Sequence, residues 1–278
     1  MKNPLPFFRN LLGRAAPLLV VLPGTLMFLL FTFIPMVYCF VGSFAGGKGP
    51  LDLYVKFLTS RYFRDLLFTV GVGIATATIS FFVSIPAAMM LRGDFRGKSV
   101  VQALLLFPMV VPELIAGYAM WLTLMPHGFL YTLVEVLTGY QLPRISDWTK
   151  LVIACVWKYF PIMTLLVASG LEGIDPDLEL AARGLGASAT TTFLRVTLPL
   201  LIPSLLSGYT LVLLRAAGQF SITLVVGGAR LTTIPIDVWY QYQMASLNFA
   251  YVLATALTFT MVGIVMLLTR VLRGLYHA

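Results

Sequence analysis

The sequence predicts an all-α integral membrane protein with six transmembrane helices. Hydrophobic residues make up 59% of the chain and charged residues only 11%, with a mean hydropathy of +0.92, more apolar than a water-facing surface tolerates. Long apolar runs recur at 16–42, 64–91, 100–125, 148–171, 200–228 and 247–270. Each reaches the roughly 20 residues that cross a hydrocarbon core, where backbone polar groups must pair within the segment.

The first run follows Lys2, Arg9 and Arg14, the charge pattern of a signal peptide. It is far longer than the ~7–15 residues of a signal core and shows no small-residue cleavage site, so the helix is expected to stay. Cys39 and Cys155 lie in apolar runs, and His127 and His277 are far apart. Neither a disulfide framework nor a metal site is expected.

Orientation follows from Lys and Arg around the runs. One set of alternate loops holds Lys2, Arg9, Arg14, Arg92, Arg96, Lys98, Arg183, Arg195, Arg270 and Arg273; the other holds Lys48, Lys56, Arg61, Arg64, Arg144, Lys150 and Arg230. The first set is larger and includes the compact RGDFRGKS loop at 92–99, so both termini are expected in the cytoplasm. Topology accounts for the net charge of +8, and nucleic acid is not expected as a partner.

Between the fourth and fifth runs lies LELAARGLGASATTTFLRVTLPLL, within residues 178–201. Asp175 is a good N-cap ahead of Pro176, and Gly186 suits a left-handed helix end. Leu178, Ala181, Ala182 and Leu185 form one apolar face by their spacing; Glu179 and Arg183 mark a polar side, and Leu180 points nearly opposite the apolar stripe. Ser188 caps a second short helix carrying Ala189, Phe193 and Val196, until Pro199 and Pro203 lead into the fifth span. The expectation is a helix, a glycine turn and a helix, with outward apolar surface that suits a partner.

Ala181-Ala182, three residues, Gly186, nine residues and Val196-Thr197-Leu198-Pro199 resemble the EAA loop of permease subunits of binding-protein-dependent ABC importers. The resemblance covers roughly 60–275 and implies a type I importer permease fold, with a coupling helix between the fourth and fifth membrane helices. It divides the chain into 1–63, with the first span and an external loop, and a core at 64–275 with the coupling loop at 175–199. It further implies an ABC ATPase dimer seated on Glu179, Leu180, Ala181, Ala182, Arg183, Gly186, Ala187, Ser188 and Phe193. A second permease subunit, identical or homologous, and an extracytoplasmic solute-binding protein complete the assembly in a bacterial inner membrane. ATP and Mg would be bound by the ATPase, leaving this chain without a cofactor or catalytic site.

One position departs from the family pattern. Leu180 stands where the family's acid belongs, and Glu179 one residue earlier is turned by about 100°. A salt bridge at the family's position is therefore not expected, and Glu179 is expected to matter less than Gly186.

Ionisable residues inside spans are candidates for the solute path. Glu113 follows Pro108 and Pro112, which disturb the third helix; it either caps the exposed helix end or lines the path. Lys158 either snorkels, pairs within the subunit interface or meets solute. Arg215 and Gln219 lie four residues apart, predicted on one helix face, where Arg215 either forms an ion pair with Glu113 or another subunit, or lines the path. RAAGQFSITL resembles the fifth-helix pattern of sulfate and molybdate permeases, with Gln219 replacing an acid. AARGLGAS with TFLRVTLPLL is closer to the polyamine, opine and phosphonate group and its iron-importing relatives. An arginine beside a neutralised acid favours a phosphonate-like solute or other oxyanion, with a polyamine or iron as alternatives.

Other functional classes find less support. GSFAGGKG at 42–49 has P-loop spacing but lacks Ser or Thr after Lys48, follows an apolar run and falls on the external side. A self-sufficient secondary transporter or channel remains the alternative, although the halves show no convincing repeat.

Overall fold

The computed structural model describes residues 21–228 and 231–277. Lys2, Arg9, Arg14, the start of the first run at 16–20 and Arg230 lie outside the described residues, as do the side chains of Arg273 and His277. Among the described residues six helices are long and apolar enough to cross a membrane. They are α1 (Val21–Gly42), α3 (Arg61–Arg92), the α5–α6 unit within Glu113–Thr138, α7 (Asp147–Glu172), α9 (Ala189–Ala217) and the last, α12, which spans at Leu247–Arg270. Shorter helices join them: α2 (Asp52–Thr59), α4 (Lys98–Val110), α8 (Pro176–Gly184), α10 (Ser221–Gly227) and α11 (Ile234–Gln243). Within the third unit α5 is Glu113–Leu124 and α6 Phe129–Thr138, and α12 continues to His277.

The core is a bundle of α3, α7 and α9, filled by residues such as Val72, Leu151, Met163, Leu201, Leu205 and Leu213. Association in lipid depends on close packing, which small residues permit. At Gly170 a Cβ would stand 2.7 Å from Ser204 Cβ on α9, so only glycine allows the helices to approach this closely. By contrast α1 buries none of its apolar window and lies against α12, with Tyr38 edge-on to Tyr251.

Two predicted spans are broken. The run 100–125 becomes α4 and α5, separated by extended backbone at Val111 and Pro112. Pro112 cannot donate a helical hydrogen bond and pushes Val111 out of the helical region, whereas Pro108 is buried inside α4. The run 200–228 stops at Ala217; a turn at Gly218 to Phe220 precedes α10. Gly117, one turn into α5, approaches the backbone of α10 so closely that its Cβ would lie 3.2 Å from Ile222 Cα. The second halves of both broken helices therefore pack together.

The predicted second short helix is not a separate element. From Ala189 the chain runs continuously through Pro199 and Pro203 to Ala217, with a π-turn at Phe193–Thr197. The proline lacks an N–H, and the i to i+5 turn just before it absorbs the irregularity without breaking the helix.

Candidate functional site

The segment at 175–199 is built as its local signals predict. Asp175 caps α8 by accepting from the Asp177 N–H at 3.0 Å, and Ser188 caps the next helix by accepting from the Thr191 N–H at 3.2 Å. Between them Gly186 adopts φ +88. The Ala187 N–H donates to the Ala182 carbonyl at 3.1 Å and the Gly186 N–H to the Arg183 carbonyl at 2.9 Å, the paired closure of a helix ending in left-handed glycine.

The face that α8 turns inward differs from the expected apolar stripe. Glu179 and Ala182 are half-buried and Ala181 is exposed; Leu178 is 48%, Leu180 63% and Leu185 90% exposed. Apolar side chains thus point away from the bundle. Polar attachment explains this: Arg92 Nη1 donates to Glu179 Oε1 at 2.7 Å and Thr197 Oγ1 donates to the same oxygen at 2.8 Å. Burial raises the Glu179 pKa, but the hydrogen bonds from Arg92 and Thr197 and the charges of Arg92 and Arg183 outweigh it, holding the carboxyl below its ordinary range.

The displaced acid thus forms a salt bridge of its own, which the family's spacing did not imply. Turning the carboxylate by one residue carries it into a gap between the end of α3 and the π-turn of α9. There it joins three elements over a cavity of about 140 Å³ lined by Met89, Leu171 and Phe193 among others. On that polar side Glu179 pairs with Arg92, and Arg183 contributes its charge. Arg92 and Thr197 were missed as site residues because their partner is distant in sequence; Arg92 stood out only as a loop charge.

At mid-bundle the break between α4 and α5 carries the other candidates. Lys158 is 6% exposed and neither snorkels nor meets a carboxylate. Its Nζ donates to the carbonyls of Pro108 at 2.7 Å, Met109 at 3.4 Å and Val111. The ammonium thus satisfies the carbonyls left open at the end of α4, at the negative end of its dipole. Glu113 is the first residue of α5, yet its side chain makes no cap; Pro112 is the N-cap. Instead Glu113 Oε1 accepts from the Tyr159 hydroxyl at 3.2 Å, a partner the sequence reading missed although Tyr159 adjoins Lys158.

Arg215 lies near enough to influence Tyr159 electrostatically, as Glu113 does. It forms no ion pair or hydrogen bond among the described residues and is exposed. The predicted shared face with Gln219 is not observed. α9 ends at Ala217, so Gln219 sits in the turn, is 4% exposed, and its Nε2 has no partner among the described residues. The four-residue spacing implies a common face only if the helix continues.

The sequence model of the family described as "Binding-protein-dependent transport system inner membrane component" matches residues 80–276. Escherichia coli (strain K12) ModB, a molybdenum transport system permease protein, is 31% identical over 138 residues, covering 50% of this chain and 59% of that protein. The Synechococcus elongatus sulfate transport system permease protein CysW is 29% identical, covering 88% and 84%. The spermidine/putrescine transport system permease protein PotB of Escherichia coli (strain K12) is 30% identical, covering 81% and 83%. Among solved structures, a chain of a bacterial ABC transporter involved in import of the acidic polysaccharide alginate superposes with a TM-score of 0.77 at 17% identity, covering 96% and 98%. That likeness shows the importer permease fold.

Proposed function

Since this chain belongs to the family of binding-protein-dependent transport system inner membrane components and is thus a permease subunit of an ABC importer, we propose that it passes a small oxyanion. The path would form with a second permease subunit. The observation that carries this reading is Arg215, an exposed guanidinium in a membrane-spanning helix without a partner among the described residues. A lone cation in a span is costly unless it faces a cavity or another chain, and there it favours negative solute. Relatives named for molybdenum and sulfate transport support the same class; none of the relatives reported above is named for phosphonate. A polyamine is the second reading, favoured by Glu113 at the break between α4 and α5 and by PotB.

In this reading 64–275 is the permease core, and the unburied α1 with the following loop (1–63) is peripheral. The termini and the 175–199 loop face the cytoplasm of a bacterial inner membrane. An ATPase dimer, which supplies the ATP and Mg sites, docks on the exposed Leu178, Leu180, Ala181 and Leu185 beside Arg183, Ala187 and Ser188. Closure of the ATPases moves α8, and the Arg92–Glu179–Thr197 cluster passes that motion to α3 and α9. An external binding protein delivers the solute.

The test is reconstitution with the ATPase, permease and binding-protein partners in liposomes. ATP-dependent uptake of sulfate or molybdate, with no uptake of spermidine, is expected. Spermidine uptake alone would replace the oxyanion reading with the polyamine one, and flux through this chain without an ATPase would overturn the importer mechanism.

A further inference from the structure

At the end of the bundle opposite α8, helix α11 lies along the first turns of α3. Its first residue is fixed by backbone, the Ile234 N–H donating to Thr69 Oγ1 at 3.0 Å. One turn later the Asp237 side chain has 0% exposure, and its Oδ1 meets Arg61 Nη2 at a long 3.4 Å; the Arg61 side chain is 54% exposed. Asp65, one turn along α3 from Arg61, is half-buried and lies close enough to Asp237 for its charge to act on that carboxyl. Oδ2 of Asp65 and Oδ2 of Asp237 are both buried without a donor among the described residues.

The surroundings supply little compensation. The Tyr62 hydroxyl accepts from Gln241 Nε2 at 2.8 Å, and its ring lies near Arg61. Arg64 is exposed. From α2, Lys56 is turned over the Phe249 ring at 4.6 Å, and α12 presents that ring to Tyr62. Two neighbouring carboxylates, with Arg61 bonded to a single oxygen of Asp237, repel each other, and the buried Oδ2 of each lacks a donor among the described residues. A single proton between them removes the repulsion and satisfies both oxygens.

We propose that Asp65 and Asp237 share one proton, and that this bond latches α11 onto α3. Burial, then the charge of Asp65, push the Asp237 carboxyl up to about 7, against the opposing pull of Arg61. Two residues beyond Asp237, the Trp239 ring lies 5.9 Å from that of Phe220, in the break between α9 and α10. Loss of the proton places two negative charges side by side. The Ile234–Thr69 bond does not titrate, so α11 pivots about it and Trp239 leaves Phe220. On the orientation proposed above, the broken fifth span then senses external pH.

A folded-state pKa above the unfolded one contributes stability that is present below the ordinary carboxylate range and lost as pH rises through about 7. The full chain in lipid nanodiscs is expected to lose about 5 °C in Tm between pH 5.5 and 8.5. Asp237→Asn and Asp65→Asn should each reduce that loss to less than half, because an amide donates to the remaining carboxylate without titrating. Infrared difference spectra should show a protonated-carboxyl C=O band in the wild type at pH 5.5 that disappears by pH 8.5 and is missing from both variants. No such band in the wild type at pH 5.5, or an unchanged pH slope in both variants, would overturn the latch whatever the solute proves to be.

Discussion

Arg92 donates to Glu179 across 2.7 Å, tying the end of a membrane-spanning helix to a nine-residue helix at the surface. Both side chains are partly buried, at 29% and 20% exposure. A charge-assisted bond in that setting contributes about 1 kcal/mol, more than a fully exposed pair. Arg92→Ala or Glu179→Ala is predicted to leave the chain folded while raising ATPase activity uncoupled from solute in the assembled transporter. The measurement is the ratio of solute-stimulated to basal hydrolysis, and a ratio equal to wild type in both variants would remove this pair from the coupling mechanism. A depressed carboxyl pKa contributes stability above the ordinary carboxylate range that is lost as pH falls through the lower folded value. The effect of each variant should therefore be constant between about pH 6 and 8.

Gly186→Val should also uncouple, for a different reason. A Cβ there meets nothing within 4 Å, so the obstacle is the backbone at φ +88, which costs a β-branched residue roughly 1–3 kcal/mol. Gly186→Asn, whose side chain tolerates this conformation, should retain most uptake. Equal loss in both variants would show that conformation is not the cause.

Lys158→Met is predicted to loosen the break in the third unit. It removes the shared donor from the Pro108 and Val111 carbonyls, at about 1–3 kcal/mol for unsatisfied buried acceptors. Hydrogen exchange at the start of α5 should accelerate while the α3 core stays protected. Unchanged protection around residues 108–116 would argue against the capping role.

Arg215→Gln separates path from scaffold. With no partner among the described residues to lose, the variant should keep the wild-type Tm within about 1 °C, as surface-like substitutions do. Oxyanion uptake should fall by about tenfold or more, the loss of one charge-assisted contact. Retained uptake would place Arg215 outside the path.

The segment at 175–199 was legible in detail because its determinants are local. Asp175, Ser188 and Gly186 act on backbone within a few residues, so caps and turn followed from residue type. The face it presents was not legible. The spacing of the apolar stripe did not say which way Leu178 and Leu185 face, and a half-buried carboxylate bonded to Arg92 and Thr197 turns them outward. Arg92 is 87 positions from Glu179, and spacing within one helix carries no information about such a partner. The same limit applied to Lys158, recognisable as a buried cation but not as the cap of a helix end some fifty residues away.

By itself the sequence determined the membrane class, the six spans and the glycine turn, because hydropathy, segment length and allowed φ are properties of short stretches. Tertiary structure alone decided where the fifth span breaks, which oxygen Arg92 finds and that Asp65 lies near Asp237. Those outcomes depend on which helices pack side by side, and buried polar groups must find partners among whatever packing brings near.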